Sequence, residues 1–271
     1  MNYNTIEPNK NLSDFIKCYW TLEAEKETNP EKQRIVPDGC MEMIFHYGDF
    51  YKQYLVDGSF IIQPKCFVFG QITQPLDIEP TGKTGIFAIR FLPNGFVPFT
   101  DFPIHKMENK AVPLIELFGE EASKLEKEVL KAASNEERVK IVEAFFTDLI
   151  SDSKVIDRIT KSSVALILEL KGQLTVEELS ENLSTNKRQL ERKFASVIGV
   201  SPKQLSKMIR IQSVLKSLLE NKYSNLTDVA YENNFYDQAH FIKEFKEFTG
   251  VSPKDFYSEN LKLSHLFSEK V

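Results

Sequence analysis

Lys187, Arg188, Glu191 and Arg192 stand in a stretch whose apolar residues, Leu190, Phe194 and Val197, recur at helical spacing. The four charged side chains therefore share the opposite, outward face. Gln238, His240, Lys243 and Lys246 are placed the same way around Phe241, Phe245 and Phe248. The chemistry open to such faces is charge pairing and bidentate hydrogen bonding rather than bond making. Arg presents a planar five-donor fork, and Gln sets a donor beside an acceptor. From Asn186 to Lys216, the cations Lys187, Arg188, Arg192, Lys193, Lys203, Lys207, Arg210 and Lys216 meet one acid, Glu191, in a chain whose net charge is −5. A basic patch inside an acidic protein suits a polyanionic partner. Alone, it reads as well as a solvated face.

Residues for covalent or metal chemistry are sparse. His46 stands alone on its stretch with Glu42 as the nearby carboxylate, His105 falls in a loop, and His240 and His265 lie far along the chain. The clustered histidines of a metal-binding barrel are missing. No Gly-x-Ser-x-Gly, phosphate loop or dinucleotide fingerprint occurs, and Thr81-Gly82-Lys83-Thr84 reads as a hairpin turn because it has no upstream glycine. Cys18, Cys40 and Cys66 are odd in number and widely spaced, which fits reduced thiols in the cytosol and no zinc site. No catalytic residue, metal or cofactor is expected. The start Met1-Asn2-Tyr3-Asn4 lacks a signal pattern, and the run Val164–Leu168 is too short to span a bilayer. A soluble, cytoplasmic protein without membrane partners is expected.

One charge calls for a partner. Arg90 sits amid Ile86-Phe87-Ala88-Ile89 and Phe91, where an unpaired guanidinium is costly. It either receives a ligand carboxylate or phosphate, or bridges to Glu42 or another acid. Arg34, beside Ile35-Val36, poses the same question. Arg90, Glu42 and Arg34 are thus the candidate effector-binding residues.

The elements that carry the outward faces are duplicated. Gly199-Val200-Ser201-Pro202-Lys203 returns 51 residues later as Gly250-Val251-Ser252-Pro253-Lys254, and the same shift carries Leu190 onto Phe241 and Phe194 onto Phe245. Upstream, Val176, Leu179 and Ser180 map onto Leu226, Val229 and Ala230 with a shift of 50. Thr175 with Glu178 has capping-box spacing, and Asn186 and Asp237 are placed to cap the second helix of each copy. Each copy reads as helix, tight turn, helix.

Arg188-Gln189-Leu190-Glu191-Arg192-Lys193-Phe194, the two Gly-Val-Ser-Pro exits, and Phe235-Tyr236-Asp237-Gln238-Ala239-His240-Phe241 with Phe245 together resemble the AraC/XylS-type bacterial transcription regulators. The resemblance is firm over about the last hundred residues. It implies base contacts from Lys187, Arg188, Glu191, Arg192, Gln238, His240 and Lys243, and phosphate contacts from Lys193, Lys203, Lys207, Arg210 and Lys246. Glu191 serves equally as an intrahelical partner for Lys187, and His240 as a packed residue near its cap. Asn234 replaces the usual turn glycine, a position that Asn tolerates. Lys243 replaces a frequent arginine, removing a bidentate reader, so the first unit is expected to dominate specificity. The resemblance also implies double-stranded DNA as partner, with a small-molecule effector, a second copy of the chain and RNA polymerase as further ones.

Between the two units, Pro202 to Leu219 reads as one continuous helix capped by Ser201. At 1.5 Å per residue it is a rod of roughly 27 Å, against about 34 Å between successive major-groove faces. The first half reads differently. Leu12 to Leu22 forms a short helix or strand, and Arg34 to Phe91 holds short strands broken by Pro37-Asp38-Gly39, Gly48-Asp49, Pro64, Pro75, Pro80 and Gly82. Spacing shows only β structure; the resemblance makes it a cupin-like barrel. Pro113 to Lys131 turns helical, and Ser134-Asn135-Glu136-Glu137 opens a further helix with Val142, Phe145, Phe146 and Leu149 on one face. In the resembling regulators such helices mediate dimerisation; packing on its own barrel is the alternative.

The expected fold is α+β in two domains: a β-rich cupin-like unit at 1–110, a helical dimerisation or linker region at 111–153, a tandem helix-turn-helix unit at 154–260, and a tail at 261–271. The expected function is sequence-specific DNA-binding regulation responding to a small molecule. The alternative is a small-molecule-binding or enzymatic barrel with a helical protein-interaction domain.

Overall fold

The computed structural model describes residues 1–150, 157–220 and 226–256. The Ser151-Asp152-Ser153 boundary and the 261–271 tail lie outside the described residues. Ten strands come first: β1 (Asn2–Ile6), β2 (Ile16–Ala24), β3 (Gln33–Ile35), β4 (Glu42–His46), β5 (Tyr51–Tyr54), β6 (Phe60–Ile62), β7 (Cys66–Phe69), β8 (Leu76–Pro80), β9 (Thr84–Phe91) and β10 (Ala111–Pro113). They form a six-stranded sheet in the order β1-β2-β9-β4-β7-β10 and a four-stranded sheet in the order β3-β8-β5-β6. The barrel is therefore not closed: two sheets form the unit instead of one continuous ring of strands. The stretch after Leu12 resolves as a turn followed by strand β2.

The period of two along β9 decides what faces what. Phe87, Ile89 and Phe91 point to one side, where they meet Tyr19, Met43, Phe45 and the helices that follow the sheet. Ile86 and Ala88 point to the other, into a second cluster with Trp20, Leu22, Tyr51 and Ile78. Both faces of the large sheet are thus buried, which is why all eight residues of β9 are buried. Arg90 falls on the Ile86 side, and β4 pairs Glu42 opposite Arg90 and His46 opposite Ile86. The inter-sheet space is where Arg90, Glu42 and His46 come together with apolar walls.

The helical region is α1 (Leu114–Phe118), α2 (Glu120–Lys131) and α3 (Asn135–Leu149), with α1 and α2 separated at Gly119. Ser134 caps α3 by accepting from the Glu137 backbone, but the Glu137 carboxylate reaches back to the Ala133 N–H, so the reciprocal box is displaced by one residue. Leu125, Val129, Val139, Val142 and Phe146 share a core with the sheet residues Phe45, Phe87 and Phe91. The inner faces of α2 and α3 are therefore occupied by their own chain.

The second half is α4 (Arg158–Glu169), α5 (Val176–Asn182), α6 (Lys187–Val197), α7 (Pro202–Leu219), α8 (Leu226–Glu232), α9 (Gln238–Thr249) and α10 (Pro253–Phe256). Leu190, Phe194, Met208, Ile211, Leu215, Val229, Phe241, Phe245 and Phe248 build one core around α7. The β-rich half touches that core through the turn after β3. Val36 is buried in it, the Gln212 side-chain amide donates to the Pro37 carbonyl at 2.9 Å, and Gly39 lies against Leu205. A Cβ on Gly39 would come within 2.6 Å of a Leu205 methyl, and its φ of +79° is one that glycine adopts freely.

Candidate nucleic-acid interface

Both second helices start from side-chain caps. Asn186 accepts from Gln189 N–H at 2.8 Å, and Asp237 accepts from His240 N–H at 2.7 Å. In front of each cap the chain turns through a left-handed residue, Ser184 (φ 48°) in the first unit and Asn234 (φ 57°) in the second. These positions are related by the 50-residue shift, so Asn234 takes the conformation expected of it. The first helix of the first unit carries the complete capping box: Glu178 N–H donates to Thr175 Oγ1, and Glu178 accepts from Thr175 N–H. Each second helix ends before a left-handed glycine, Gly199 and Gly250.

The face these caps aim outward is polar. Lys187, Arg188, Glu191 and Arg192 on α6 are exposed, as are Gln238, His240, Lys243 and Lys246 on α9. Leu190, Phe194, Phe241 and Phe245 on the opposite faces are fully buried. Lys203, at the start of α7, is also exposed. Lys187 pairs with Glu177 of α5 at 2.7 Å, rather than with Glu191, and both partners are more than half exposed. Such a surface pair contributes little and leaves Lys187 available to another anion. His240 combines both expected features. Its Nδ1 accepts from the Tyr236 N–H at 3.4 Å and its ring meets Phe235 edge-on, yet the residue remains exposed.

Three of the expected phosphate contacts have other partners. Lys207 lies 3.1 Å from Glu244, and Arg210 lies 2.5 Å from the same carboxylate and over the Phe235 ring. Glu244 is 2% exposed; a buried carboxylate requires such partners. Lys193 pairs with Asp157, the cap of α4, at 2.7 Å. These three cations hold helices together instead of standing free. Sequence patterning counted them as outward charges because it does not show that Asp157 meets Lys193 or that Glu244, on the Phe241–Phe245 side of α9, is buried. A signal existed: Glu244 follows His240 by one helical turn and precedes Phe248 by another. Tyr236, 88% exposed just before the α9 cap, is a contact candidate that the charge pattern passed over.

The inter-sheet cavity holds two of the three effector candidates. Arg90 makes ion pairs with Asp38 and, at 3.6 Å, with Glu42. Glu42 also accepts from the Trp20 indole N–H at 3.1 Å. Burial pushes the Glu42 carboxyl up to about 7, and the Trp20 hydrogen bond works against that rise. Leu22, Ile44, Tyr51 and Ile86 complete the apolar walls. His46, buried there and stacked on Tyr51, is pressed down to about 4 by burial, against the hydrogen bond that its Nε2 donates to the Gln63 side-chain oxygen. Arg34 lies outside the cavity. It is bidentate to Asp77 at 2.7 and 3.0 Å and donates to the Thr249 carbonyl at 3.4 Å, so it ties β3 to the end of α9. Among the described residues no group of three His, Cys, Asp or Glu side chains could hold a metal ion, and no helix is long and apolar enough to cross a membrane.

Residues 4–113 match a family described as a domain of unknown function, DUF6597, and residues 179–259 match the family described as helix-turn-helix domain. The chain is 27% identical over 164 residues to an uncharacterized HTH-type transcriptional regulator of Haemophilus influenzae, covering 58% of this chain and 52% of that protein. It is 29% identical over 100 residues to an uncharacterized HTH-type transcriptional regulator of Staphylococcus aureus, covering 37% of this chain and 13% of that protein. The chain thus spans about half the length of the first relative and a small part of the second. Among solved structures it is similar to ToxT from Vibrio cholerae, with 17% identity, a TM-score of 0.46, and coverage of 88% of this chain and 97% of that one. With two helix pairs in tandem, the second helix of each capped, and a family match across them, residues 179–259 are a helix-turn-helix domain.

Proposed function

We propose that this protein is a sequence-specific DNA-binding transcription regulator whose β-rich half answers to a small molecule. The observation that carries the reading is the pair α6 and α9. Each is capped at its start and packed on α7 through Phe194 or Phe245, and each leaves a polar face open. Arg188 and Arg192 suit guanine edges and Gln238 suits adenine, each good bidentate pair giving about 1–3 kcal/mol of discrimination. Lys187, Glu191, His240 and Lys243 complete the base-reading set. Lys203 and Lys246 are the phosphate contacts, which position without specifying.

The inter-sheet cavity, with Arg90 and Glu42 on its wall, is the seat proposed for an effector. Units at 1–110, 111–153 and 154–260 divide these roles, in the cytoplasm and in reach of RNA polymerase. The protein acts by binding, not as an enzyme. Selecting bound duplexes from a random pool and titrating the winner against salt tests the reading. A defined consensus with a steep fall in affinity as salt rises supports it; equal, weak retention of all sequences refutes it.

A further inference from the structure

The edge of the small sheet is built unlike the rest of the surface. Strand β6 pairs only with β5, so among the described residues its other edge has no strand beside it. Phe60, Ile61 and Ile62 are 50%, 45% and 50% exposed, and the preceding turn adds Leu55 and Val56, the latter 92% exposed. An open, apolar edge strand is a liability that soluble proteins blunt with charge, proline or a covering element. None of those devices occurs within β6 itself. We propose that this edge is covered by the same edge of a second copy of the chain, in an antiparallel, two-fold pair centred on Ile61.

The hydrogen-bond register makes the edge self-complementary. Gln63 N–H donates to Tyr51 and Leu55 N–H to Ser59, with Gln53 opposite Ile61 between them. Ile61 therefore spends its backbone groups on β5, and those of Phe60 and Ile62 point away from the sheet. In an antiparallel pair about Ile61, Phe60 meets Ile62 of the partner subunit, and both residues exchange N–H and C=O bonds. The ends also match in charge. Asp57 precedes the strand and Lys65 follows it, both exposed, so each acid falls near the other copy's base.

Phe60, Ile61 and Ile62, each about half exposed, are the apolar strip that the pair would cover, with Leu55 and Val56 flanking it in the adjoining turn. The helices α2 and α3, the other candidate seam, have already buried Val129, Val142 and Phe146 against their own sheet.

The test is the mass of the full-length protein by sedimentation equilibrium across the micromolar range, with amide exchange on the same samples. The wild type should sediment as a dimer, and the Phe60 and Ile62 amides should gain protection with concentration. Ile62→Pro removes only an outward N–H, and Ile61→Lys sets two like charges face to face. Both variants should sediment as monomers while keeping the wild-type circular dichroism. A monomeric wild type overturns the proposal, as does a dimer that persists in either folded variant. The outcome is independent of whether the chain binds DNA.

Discussion

Replacing Glu244 by Gln is the sharpest perturbation that the arrangement of the second half offers. The carboxylate is 2% exposed and lies 2.5 Å from Arg210 and 3.1 Å from Lys207, whose side chains are 14% and 23% exposed. The amide keeps the shape but leaves two partly buried cations without their anion. Removing one partner of a buried pair costs about 3–5 kcal/mol. Because both cations reach some solvent and the amide oxygen still accepts one hydrogen bond, about 3 kcal/mol is expected. Unfolding in urea reads this out separately for the two halves. Trp20, the one tryptophan of the chain, lies in the β-rich unit, whereas the helical signal comes mostly from the second half. With a slope of about 1–3 kcal/mol/M, the helical transition should move down by roughly 1–3 M while the Trp20 fluorescence transition stays in place. Since the same carboxylate ties α9 to α7, binding to a duplex carrying both half-contacts should fall toward that of one unit alone. A shift in stability below about 1 kcal/mol would show that Glu244 is no tie between the helices.

Four further outcomes follow from named contacts. Arg192→Ala should cost about 1–3 kcal/mol on the selected duplex and relax one base preference, with a smaller loss for Lys243→Ala; the reverse ranking, measured by fluorescence anisotropy, contradicts the dominance of the first unit. Lys203→Ala should lower the salt slope by about one, whereas Lys207→Met and Arg210→Met should leave the slope unchanged, because those cations are already paired with Glu244. Asp38→Asn removes one carboxylate partner of the buried Arg90 and should destabilise the β-rich unit by about 3 kcal/mol, seen as an earlier Trp20 transition. The buried His46 is held down to about 4 from an ordinary value of 6.5, so the unfolded chain binds its proton more readily. Its contribution is present above pH 6.5 and is lost as the pH falls from there to about 4, at most about 3 kcal/mol. His46→Leu should flatten that part of the stability profile, and an unchanged profile would assign the acid sensitivity elsewhere.

The helical half was largely legible because its signals are local. Caps at Thr175, Asn186, Ser201 and Asp237, apolar residues at helical spacing and a repeated Gly-Val-Ser-Pro exit each specify their own few residues, and α7 runs from Pro202 to Leu219 as its pattern predicts. The strands were legible where apolar residues were continuous, as in β7 and β9. Where pairing alone makes them strands they were not singled out: β1, β3, β8 and β10 are three to five residues long, held by register with β2, β8, β5 and β7. Which outward charges are free was the least legible feature. Lys193, Lys207 and Arg210 look like their exposed neighbours until Asp157 and Glu244, remote in sequence, arrive beside them. The Arg90 question was left open for the same reason. Its acids are Asp38, from a turn read only as punctuation, and the cross-strand Glu42.

Hydroxyl-radical footprinting of the full-length protein on its selected duplex tests the central claim most directly. Two recognition helices carried on α7 predict two protected patches on one face of the DNA, about 10 base pairs apart, each losing protection separately when Arg188 and Arg192, or Gln238 and Lys243, are replaced. A single patch that vanishes with either pair of replacements, or protection on opposite faces, would contradict it.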